Sequence, residues 1–428
     1  MGRSYYVEDT VERCFSKLVQ LQKPYITGLI VGLCSSQRDY VILAVQTPQK
    51  DSHGEPKKKP VVSKLDEIDE EWVSLHASQV SRMLPGGLLV LGVFLVTSPD
   101  LSKDSQNIVF TVEKSSMKNR LWAYDDSDVT ERVAVHICSA TRKITCRTFD
   151  VKDPKSTAKP ADWKYQSSAL SFLTVECNVC VDLTIPISSS SSSHQDQQKS
   201  TRTGLAKWAK ELDDAVILFN GQFKDKDWEN VFVPVDPFMC AVSFLSQSVS
   251  ADGRSTALVQ ACKSSLSVRG VVRCRAYIQS NKPKVKEALQ AIKRDFLNTV
   301  SDRCEILFED IVLNGPQNES ETSSTPLPQR VFVHVGGSSV MLCDYAFGDE
   351  SAEDLQNRFA EMLDQDVRPD GIEFAEERTC GTRPGTSLNC CDVQMASAII
   401  IMIIYIYIYI SVCSRSTRRS SVETPSYI

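Results

Sequence analysis

Cysteine and histidine are the side chains of this sequence that could support metal binding or nucleophilic catalysis, and there are 15 cysteines and five histidines. The CxxC pair Cys177 and Cys180 could supply two thiolates to zinc, but a structural zinc site needs further ligands that converge on the same ion. Because the pair lies in a run of alternating apolar residues, we expect its side chains to point to opposite faces of a strand. This placement disfavours a metal or redox role.

The histidines follow no metal-binding pattern. None stands in an HxH, HExxH or HxxE arrangement, and they are His53, His76, His136, His194 and His334. His76 shares a helical stripe with Trp72 and Val80, which predicts a buried core histidine. The sequence also contains no GxSxG elbow, Walker loop or GxGxxG motif.

Cys34, in the stretch GLCSSQ, is a conceivable nucleophile. A catalytic thiol needs a neighbouring base or cation that lowers its pKa, and nothing near Cys34 in the sequence supplies one. We therefore expect a packed hairpin residue. The sequence predicts no catalytic, cofactor-binding or metal-binding residue, and no cofactor.

The length and charge of the chain limit its domain organisation and its partners. The chain has 428 residues, 54 acidic against 48 basic side chains and a formal net charge of -6. The length suggests two or three domains, and a mildly acidic balance gives no electrostatic reason to expect a nucleic-acid partner. The N-terminus MGRSYYVEDTVERC lacks the apolar region of a secretory signal, so the bulk of the chain is expected in the cytosol with its cysteines reduced.

Hydrophobic periodicity predicts an α/β (α+β) fold. In the first half we expect an opening helix, a hairpin, a helix over 69–84, the strand LLVLGVFLVT, a helix near 106–120 and a second hairpin. Apolar residues then fall on odd positions from Leu173 to Ile187, which predicts a half-buried strand. These elements make a first domain over 1–187.

Six serines, Ser188 to Ser193, and the polar residues after them predict a Ser-rich linker over 188–204. The second domain, also α/β, covers 205–375. It contains a short helix over 205–212, strands at 215–223 and within 255–280, a helix at Lys284–Phe308, a hairpin closed by Gly336–Ser339 and a last helix over 352–363. The cations Lys284, Lys286, Lys293 and Arg294 are predicted to form a solvated helix face.

The C-terminus contains an apolar tail. After a polar spacer over 376–394, the 18 residues 395–412 carry no charge. As a helix they would span about 27 Å, close to the roughly 30 Å of a bilayer core. This segment is predicted to be a transmembrane tail anchor, followed by a polar basic tail over 413–428. Its marker residues are Met395, Ile399, Ile403, Tyr405, Tyr407, Tyr409 and Val412.

The same segment allows another interpretation. Ile-Tyr alternation is also a strand pattern that favours aggregation, and the arginines after it oppose the positive-inside rule. A repeated Ile-Tyr run is what a TA dinucleotide repeat encodes. The tail could therefore come from translated intron or a misjoined exon.

Several long blocks resemble one known family. MGRSYYVEDTV, GLCSSQRDYVILA, QVSRMLPGGLLVLGVF, DPKSTAKPADWKYQS, VVRCRAYIQSNKPKVKEA and VMLCDYAFGDESAE are similar to the odorant-response-abnormal protein four family. The resemblance covers residues 1–375. Beyond Gly371 the sequence departs from the family, which ends in a polar spacer and an Ala/Val-rich membrane span.

The resemblance implies a tail-anchored protein of the endoplasmic-reticulum membrane whose bulk faces the cytosol. It implies assistance to the trafficking and localisation of a subset of G-protein-coupled receptors, including odorant receptors. It also implies partnership with the peptidase specific for the ubiquitin-fold modifier, which the protein would hold at the membrane. No catalytic residue is carried over from the family.

The first domain also resembles a JAB/MPN domain in its opening helix, its hairpin and the strand LLVLGVFLVTSPD. Active members carry an HxH on that strand, whereas Gly92–Pro99 here contains no histidine. The resemblance implies an inactive relative used for binding. Three hypotheses result: a noncatalytic membrane adaptor, an isopeptidase-like hydrolase, and a soluble scaffold with an artefactual tail.

Overall fold

The structure, a computed structural model, combines strands and helices throughout the part of the chain that it describes. The described residues are 2–35, 38–50, 68–97, 105–117, 120–122, 128–153, 155–166, 170–187, 194–212, 216–219, 222–223, 239–245, 264–281, 283–314, 326–334, 336 and 338–375. Within them lie three sheets and six α-helices. The mixed α/β class predicted from the sequence is confirmed.

The largest sheet has eight strands from the first 166 residues. They are β1 (Ser4–Glu8), β2 (Tyr25–Cys34), β3 (Arg38–Gln46), β4 (Leu88–Thr97), β5 (Glu131–Cys138), β6 (Ile144–Asp150), β7 (Lys159–Pro160) and β8 (Asp162–Gln166). Their order is β7-β6-β5-β4-β2-β3-β1-β8. The strands β1, β7 and β8 were not predicted. All three are short, which leaves little periodicity to detect.

One continuous segment joins the two edges of this sheet. β7 pairs with β6, and β8, which begins two residues later, pairs with β1 at the opposite edge. Between them the Ala161 N–H donates to the Cys146 carbonyl at 3.1 Å and the Asp162 N–H donates to the Arg3 carbonyl at 2.9 Å. The sheet is therefore curled until its edges meet at residues 159–166.

The concave face of the curled sheet holds the first helix, α1 (Asp9–Gln20). Val11, Phe15 and Leu18 are buried along one stripe and pack with inward-facing strand residues. Phe15 meets Phe94 edge-to-face, with ring centroids 5.2 Å apart. The opposite face of the sheet packs against α2 (Glu70–Arg82) and α3 (Ser105–Met117). Because side chains alternate between the two faces of a strand, the sheet contributes residues to one hydrophobic core on each face.

The second sheet belongs to both halves of the sequence. Its strands are β9 (Phe172–Ile187), β10 (Val216–Phe219), β11 (Gln222–Phe223), β12 (Met239–Leu245) and β13 (Ser264–Gln279), in the order β11-β10-β12-β9-β13. β9 pairs with β13 over the whole length of both strands. The boundary predicted at residue 187 therefore does not separate two folding units. β9, the last strand of the predicted first domain, pairs along its whole length with β13, which belongs to the predicted second domain.

The predicted linker over 188–204 is too long. α4 (His194–Glu211) begins within it, and buries Thr201, Leu205 and Ala209. α5 (Val285–Asn314) extends six residues beyond the predicted end at Phe308. The two helices meet where Trp208 contacts Phe296 edge-to-face, with ring centroids 4.7 Å apart. The start of α4 was not predicted because its residues are polar. Tertiary packing, and not local helix propensity, specifies the helix there.

The third sheet contains β14 (Gln329–His334), β15 (Met341–Ala346) and β16 (Ile372–Phe374), and α6 (Ala352–Leu363) lies beside it. The predicted hairpin and last helix are confirmed. Val331, Leu342 and Phe359 share one hydrophobic core with Leu29 and Val80 from the first half. The two predicted domains are thus joined through a common core.

Among the described residues, no helix is both long enough and apolar enough to cross a membrane. The predicted spacer over 376–394, the predicted anchor over 395–412 and the basic tail over 413–428 lie outside the described residues. The anchor therefore stays a prediction.

Candidate functional site

A cavity of about 270 Å³ lies where the first and second halves of the chain meet. We name it the seam cleft. Its lining comes from the ends of β2, α3 and β13, the turn over 84–90, the segments 120–122 and 128–132, and the first half of α5. Residues from distant parts of the sequence therefore form one concave site, as ligand-binding pockets often do.

The turn at Pro85-Gly86-Gly87 forms the inner end of the seam cleft. The Gly86 N–H donates to the Arg275 carbonyl at 3.1 Å, and the Tyr277 N–H donates to the Gly86 carbonyl at 2.8 Å. Gly87 has φ +82°, and a Cβ there would lie 1.9 Å from the Tyr277 carbonyl oxygen. Only glycine fits so close to β13 with this backbone conformation.

A fully buried ion pair lies behind this turn. Asp295 of α5 and Arg330 of β14 each have 1% of the side chain exposed. The Asp295 carboxylate accepts hydrogen bonds from both terminal guanidinium nitrogens of Arg330 at 2.7 Å, and from the N–H groups of Gly86 and Arg275 at 2.8 and 2.9 Å. Burial opposes the charge of Arg330, and Asp295 overcomes this effect and holds the pKa of the guanidinium well above its ordinary value. The Asp295 carboxylate thus connects α5 to the turn at Gly86, to β13 and to β14.

Aromatic and ionic contacts form the outer wall of the seam cleft. Arg294 donates to both carboxylate oxygens of Asp128, at 2.6 and 2.7 Å, and its guanidinium carbon lies 4.1 Å from the centroid of the Trp122 ring. The Trp122 indole N–H donates to Asn298 at 3.1 Å. These contacts fasten residues 122 and 128 to α5, so the wall has a defined shape.

Two more arginines of the lining are also paired. Arg120 contacts Asp302 at 3.2 Å, and Arg132 contacts Glu113 at 2.9 Å. The ion pairs of the described residues include neither Lys284 nor Lys286, which are partly exposed in the lining of the cleft. The two lysines are therefore the lining cations that an acidic ligand could pair with.

The cations of α5 differ from the prediction of a solvated face. Arg294 is committed to Asp128 and Trp122 in the cleft wall. Lys293 is partly buried, and the loss of hydration lowers the pKa of its ammonium group. The predicted solvated face is therefore wrong at Arg294 and Lys293. Periodicity places these residues outside the apolar stripe, but it does not show that Trp122 and Asp128 contact Arg294.

Cys34 lies in the wall of the seam cleft at the end of β2. Burial, assisted by the nearby Asp39 carboxylate, raises the pKa of the Cys34 thiol to about 12. A thiol with this pKa is protonated near neutral pH and is a poor nucleophile. The Arg3 guanidinium lies 3.5 Å from the Cys34 sulfur, but its effect is outweighed by burial, so the thiol fits the packed hairpin residue predicted from the sequence.

The CxxC pair diverges as predicted, because Cys177 is buried and Cys180 is exposed. His76 is buried, as predicted, and its Nε2–H donates to the Met362 carbonyl at 2.9 Å. His136 contacts the Thr97 hydroxyl at 2.8 Å. In the described part of the chain, no three His, Cys, Asp or Glu side chains are arranged to hold a metal ion.

The two remaining histidines of the described residues, His194 and His334, lie in separate elements. His334 lies in β14 with its side chain exposed, His194 is the first residue of α4, and His53 lies outside the described residues. The residues that shape the seam cleft, in contrast, were not recognised from the sequence. Trp122, Asp128 and Arg294 come from separate elements, and no local motif connects them.

Comparison with known proteins assigns this chain to a family. A family model described as ODR4-like, or odorant response abnormal 4-like, matches residues 28–374. The chain belongs to the ODR4-like family. The family membership predicted from the sequence blocks is thereby confirmed.

Relatives from distant animals match this ODR4-like chain over most of its length. Protein odr-4 homolog of Xenopus laevis is 61% identical over 392 residues, covering 88% of this chain and 87% of the relative. The Homo sapiens homolog is 50% identical, covering 88% and 86%. Odorant response abnormal protein 4 of Caenorhabditis elegans is 19% identical, covering 82% and 74%.

Among solved structures, UfSP from C. elegans has a TM-score of 0.45 and 7% sequence identity, and the match covers 85% of this chain and 56% of UfSP. A likeness at this level does not define the fold of the ODR4-like chain.

Proposed function

We propose that this ODR4-like protein is a noncatalytic adaptor of the endoplasmic-reticulum membrane, with its bulk in the cytosol. It assists the trafficking and localisation of a subset of G-protein-coupled receptors, including odorant receptors, and tethers the peptidase specific for the ubiquitin-fold modifier. The family match over residues 28–374 carries the proposal. A relative in this family is named for an abnormal odorant response.

The seam cleft supports a binding role. Its arginines are already paired with carboxylates from other elements, and Cys34 is protonated near neutral pH because burial raises the pKa of its thiol to about 12. Such a site can hold a ligand by shape and charge without supplying a nucleophile or a base.

The proposal includes an inactive JAB/MPN-like unit in the N-terminal part. The structure has the predicted sequence of helix, hairpin, helix and strand over α1, β2, β3, α2 and β4. β4, the strand that carries the HxH in active members, reads LLVLGVFLVT. This unit would end before β9, earlier than the predicted boundary at residue 187, since β9 belongs to the second sheet.

Alkaline carbonate extraction of cell membranes tests the anchor. We expect the full-length chain to stay in the membrane pellet, and a chain with Ile403→Lys and Tyr407→Lys to move to the supernatant, because two charges at the bilayer centre are costly. Ser387→Lys with Asn389→Lys in the spacer adds the same two charges and should leave the chain in the pellet. Wild-type chain in the supernatant would instead support the soluble scaffold.

Affinity capture tests the partners. An affinity tag inserted within Lys57–Lys59, a run of three lysines that lies outside the described residues, leaves both termini unchanged. Capture of the full-length chain from detergent-solubilised cells should recover the modifier peptidase and a co-expressed odorant receptor. Recovery of neither would refute the adaptor. Cleavage of a modifier conjugate by the purified chain alone would support the hydrolase.

A further inference from the structure

We infer that the seam cleft binds an extended peptide segment of a partner protein, in which a large apolar side chain is flanked by acidic residues. The adaptor proposal states which proteins are held, but not where or by what chemistry. This inference concerns one surface of the described part of the chain and does not depend on membrane tethering.

One part of the seam cleft's lining favours an apolar group. Leu84 and Leu88 line it from the turn, Met117 from the end of α3, and Ile278 from the end of β13. The cavity of about 270 Å³ lies near the lower limit of ligand pockets, so it accommodates one or two residues and not a large cofactor. Burial of one Leu or Phe side chain there would contribute a substantial part of a peptide's affinity.

The charges of the lining favour acidic neighbours of that apolar residue. The lining contains five cations, Arg120, Arg132, Lys284, Lys286 and Arg294, against three carboxylates, Glu113, Asp128 and Glu287. The arginines are held by carboxylates. Lys284 immediately precedes α5, near Glu287, and Lys286 lies in its first turn, where the helix N-terminus adds positive partial charge. A flanking carboxylate on the ligand is therefore complementary to this end of the cleft.

The combination of cations and apolar side chains in one lining favours a peptide over a small inorganic anion. An inorganic anion would use only the cations, whereas a peptide with an apolar side chain between acidic residues would use both parts of the lining.

A synthetic peptide tests the inference directly. The probe is a fluorescein-labelled heptapeptide of sequence GDELFEG, titrated with the full-length chain in detergent and followed by fluorescence anisotropy. We expect saturable binding that weakens at least tenfold when Leu and Phe of the peptide become Ser, and likewise when its acidic residues become Lys. No change in anisotropy up to about 1 mM protein, a concentration that half-saturates a peptide of millimolar Kd, would overturn the inference.

Matched lysine variants locate the binding. Lys284→Glu with Lys286→Glu should weaken binding of the peptide at least tenfold, because both charges face the flanking carboxylates. Lys207→Glu with Lys210→Glu, on the exposed face of α4, makes the same net change in charge and should alter binding less than twofold. Equal losses in both double variants would show only a general electrostatic attraction and would overturn the inference.

A cross-link separates local binding from misfolding of a variant. The same peptide with benzoylphenylalanine in place of Phe should cross-link to Met117 of the wild-type chain on irradiation, since Met117 lines the apolar part of the cleft. A cross-link confined to residues outside the cleft would overturn the inference. Because neither assay measures membrane association or partner capture, failure here would leave the adaptor proposal standing.

Discussion

At the scale of single residues, Asp295 is the side chain on which the junction between the two halves depends. Its carboxylate accepts four hydrogen bonds, two of them from the buried guanidinium of Arg330. We expect Asp295→Asn to lower the free energy of unfolding by about 3 to 5 kcal/mol, because it leaves a buried charge without its partner. Urea unfolding followed by circular dichroism measures this change.

An exposed ion pair supplies the control for Asp295. Asp182 contacts Arg269 at 2.8 Å, but both side chains are more than half exposed. We expect Asp182→Asn to change the free energy of unfolding by less than about 0.5 kcal/mol, as is usual for surface pairs. Similar losses in the two variants would contradict the role given to the buried pair.

Glu8 is an unusual carboxylate at the end of β1. It is 4% exposed, and it accepts a hydrogen bond from the Ser338 hydroxyl at 3.2 Å, far along the sequence. Its second carboxylate oxygen is buried and has no partner among the described residues. Burial raises the pKa of the Glu8 carboxyl to about 7, and the hydrogen bonds from Ser338 and from the Leu170 N–H oppose that rise.

The pH dependence follows from the direction of this shift. Because the pKa of Glu8 is higher in the folded chain, its contribution to stability is complete below about pH 4.5 and is lost as the pH rises through about 7. We expect Glu8→Gln to raise the free energy of unfolding at pH 8 by about 1 to 3 kcal/mol relative to wild type, and to have little effect at pH 4.5. Thermal unfolding at both pH values measures the difference, and a variant that is less stable at pH 8 would contradict the assignment.

Cysteine reactivity reports whether the chain contains an activated thiol. Burial raises the pKa of the thiols of Cys34, Cys304 and Cys343 to about 12, whereas Cys180 is exposed. We expect N-ethylmaleimide at pH 7.5 to modify Cys180 much faster than the other three, which should react only after denaturation. Peptide mass spectrometry resolves each site. Rapid modification of Cys34 would favour the hydrolase.

At the scale of elements, the turn at Gly87 connects the curled sheet to β13. We expect Gly87→Ala to lower the free energy of unfolding by about 2 kcal/mol or more, since the new Cβ would collide with the Tyr277 carbonyl and the backbone has φ +82°. Gly348→Ala is the control, because a Cβ there meets no atom within 4 Å. Guanidinium unfolding measures both variants, and equal stabilities would refute the described approach of the turn to β13.

Elements with strong periodicity were predictable from the sequence. The alternating run of β9, the β5–β6 hairpin and α6 all lie where the sequence placed them. α6 also has a Ser351–Asp354 capping box, which defines where the helix begins. The start of α4 and the edge strands β7 and β8 were missed, because their sequences are polar or short and only tertiary contacts specify them.

At the scale of the whole molecule, long-range pairing decides the organisation. β9 and β13 are separated by a long stretch of sequence yet pair along their full lengths, and the core beneath α2 includes residues from β14 and α6. The hydrophobic pattern predicts which face of each strand is buried, but it does not predict which other strand pairs with it. The sequence therefore predicted two domains, whereas the structure joins them.

The seam cleft also results from contacts between residues that are far apart in the sequence. Trp122, Arg294 and the turn at Gly86 meet only after both halves have packed, so no motif could predict the site. The family, in contrast, was predictable, because its matching blocks are long and lie in both halves of the sequence. The proposed activity as an adaptor accordingly depends on the molecule as a whole.

Receptor delivery in cells tests the adaptor most directly. In cells that lack the endogenous protein, surface labelling of a tagged odorant receptor is measured after expression of wild-type chain, Cys34→Ala, or the chain with Ile403→Lys and Tyr407→Lys. We predict that Cys34→Ala restores delivery as fully as wild type and that the charged-tail variant does not. Loss of delivery with Cys34→Ala, or full delivery with the charged tail, would contradict a noncatalytic, membrane-tethered adaptor.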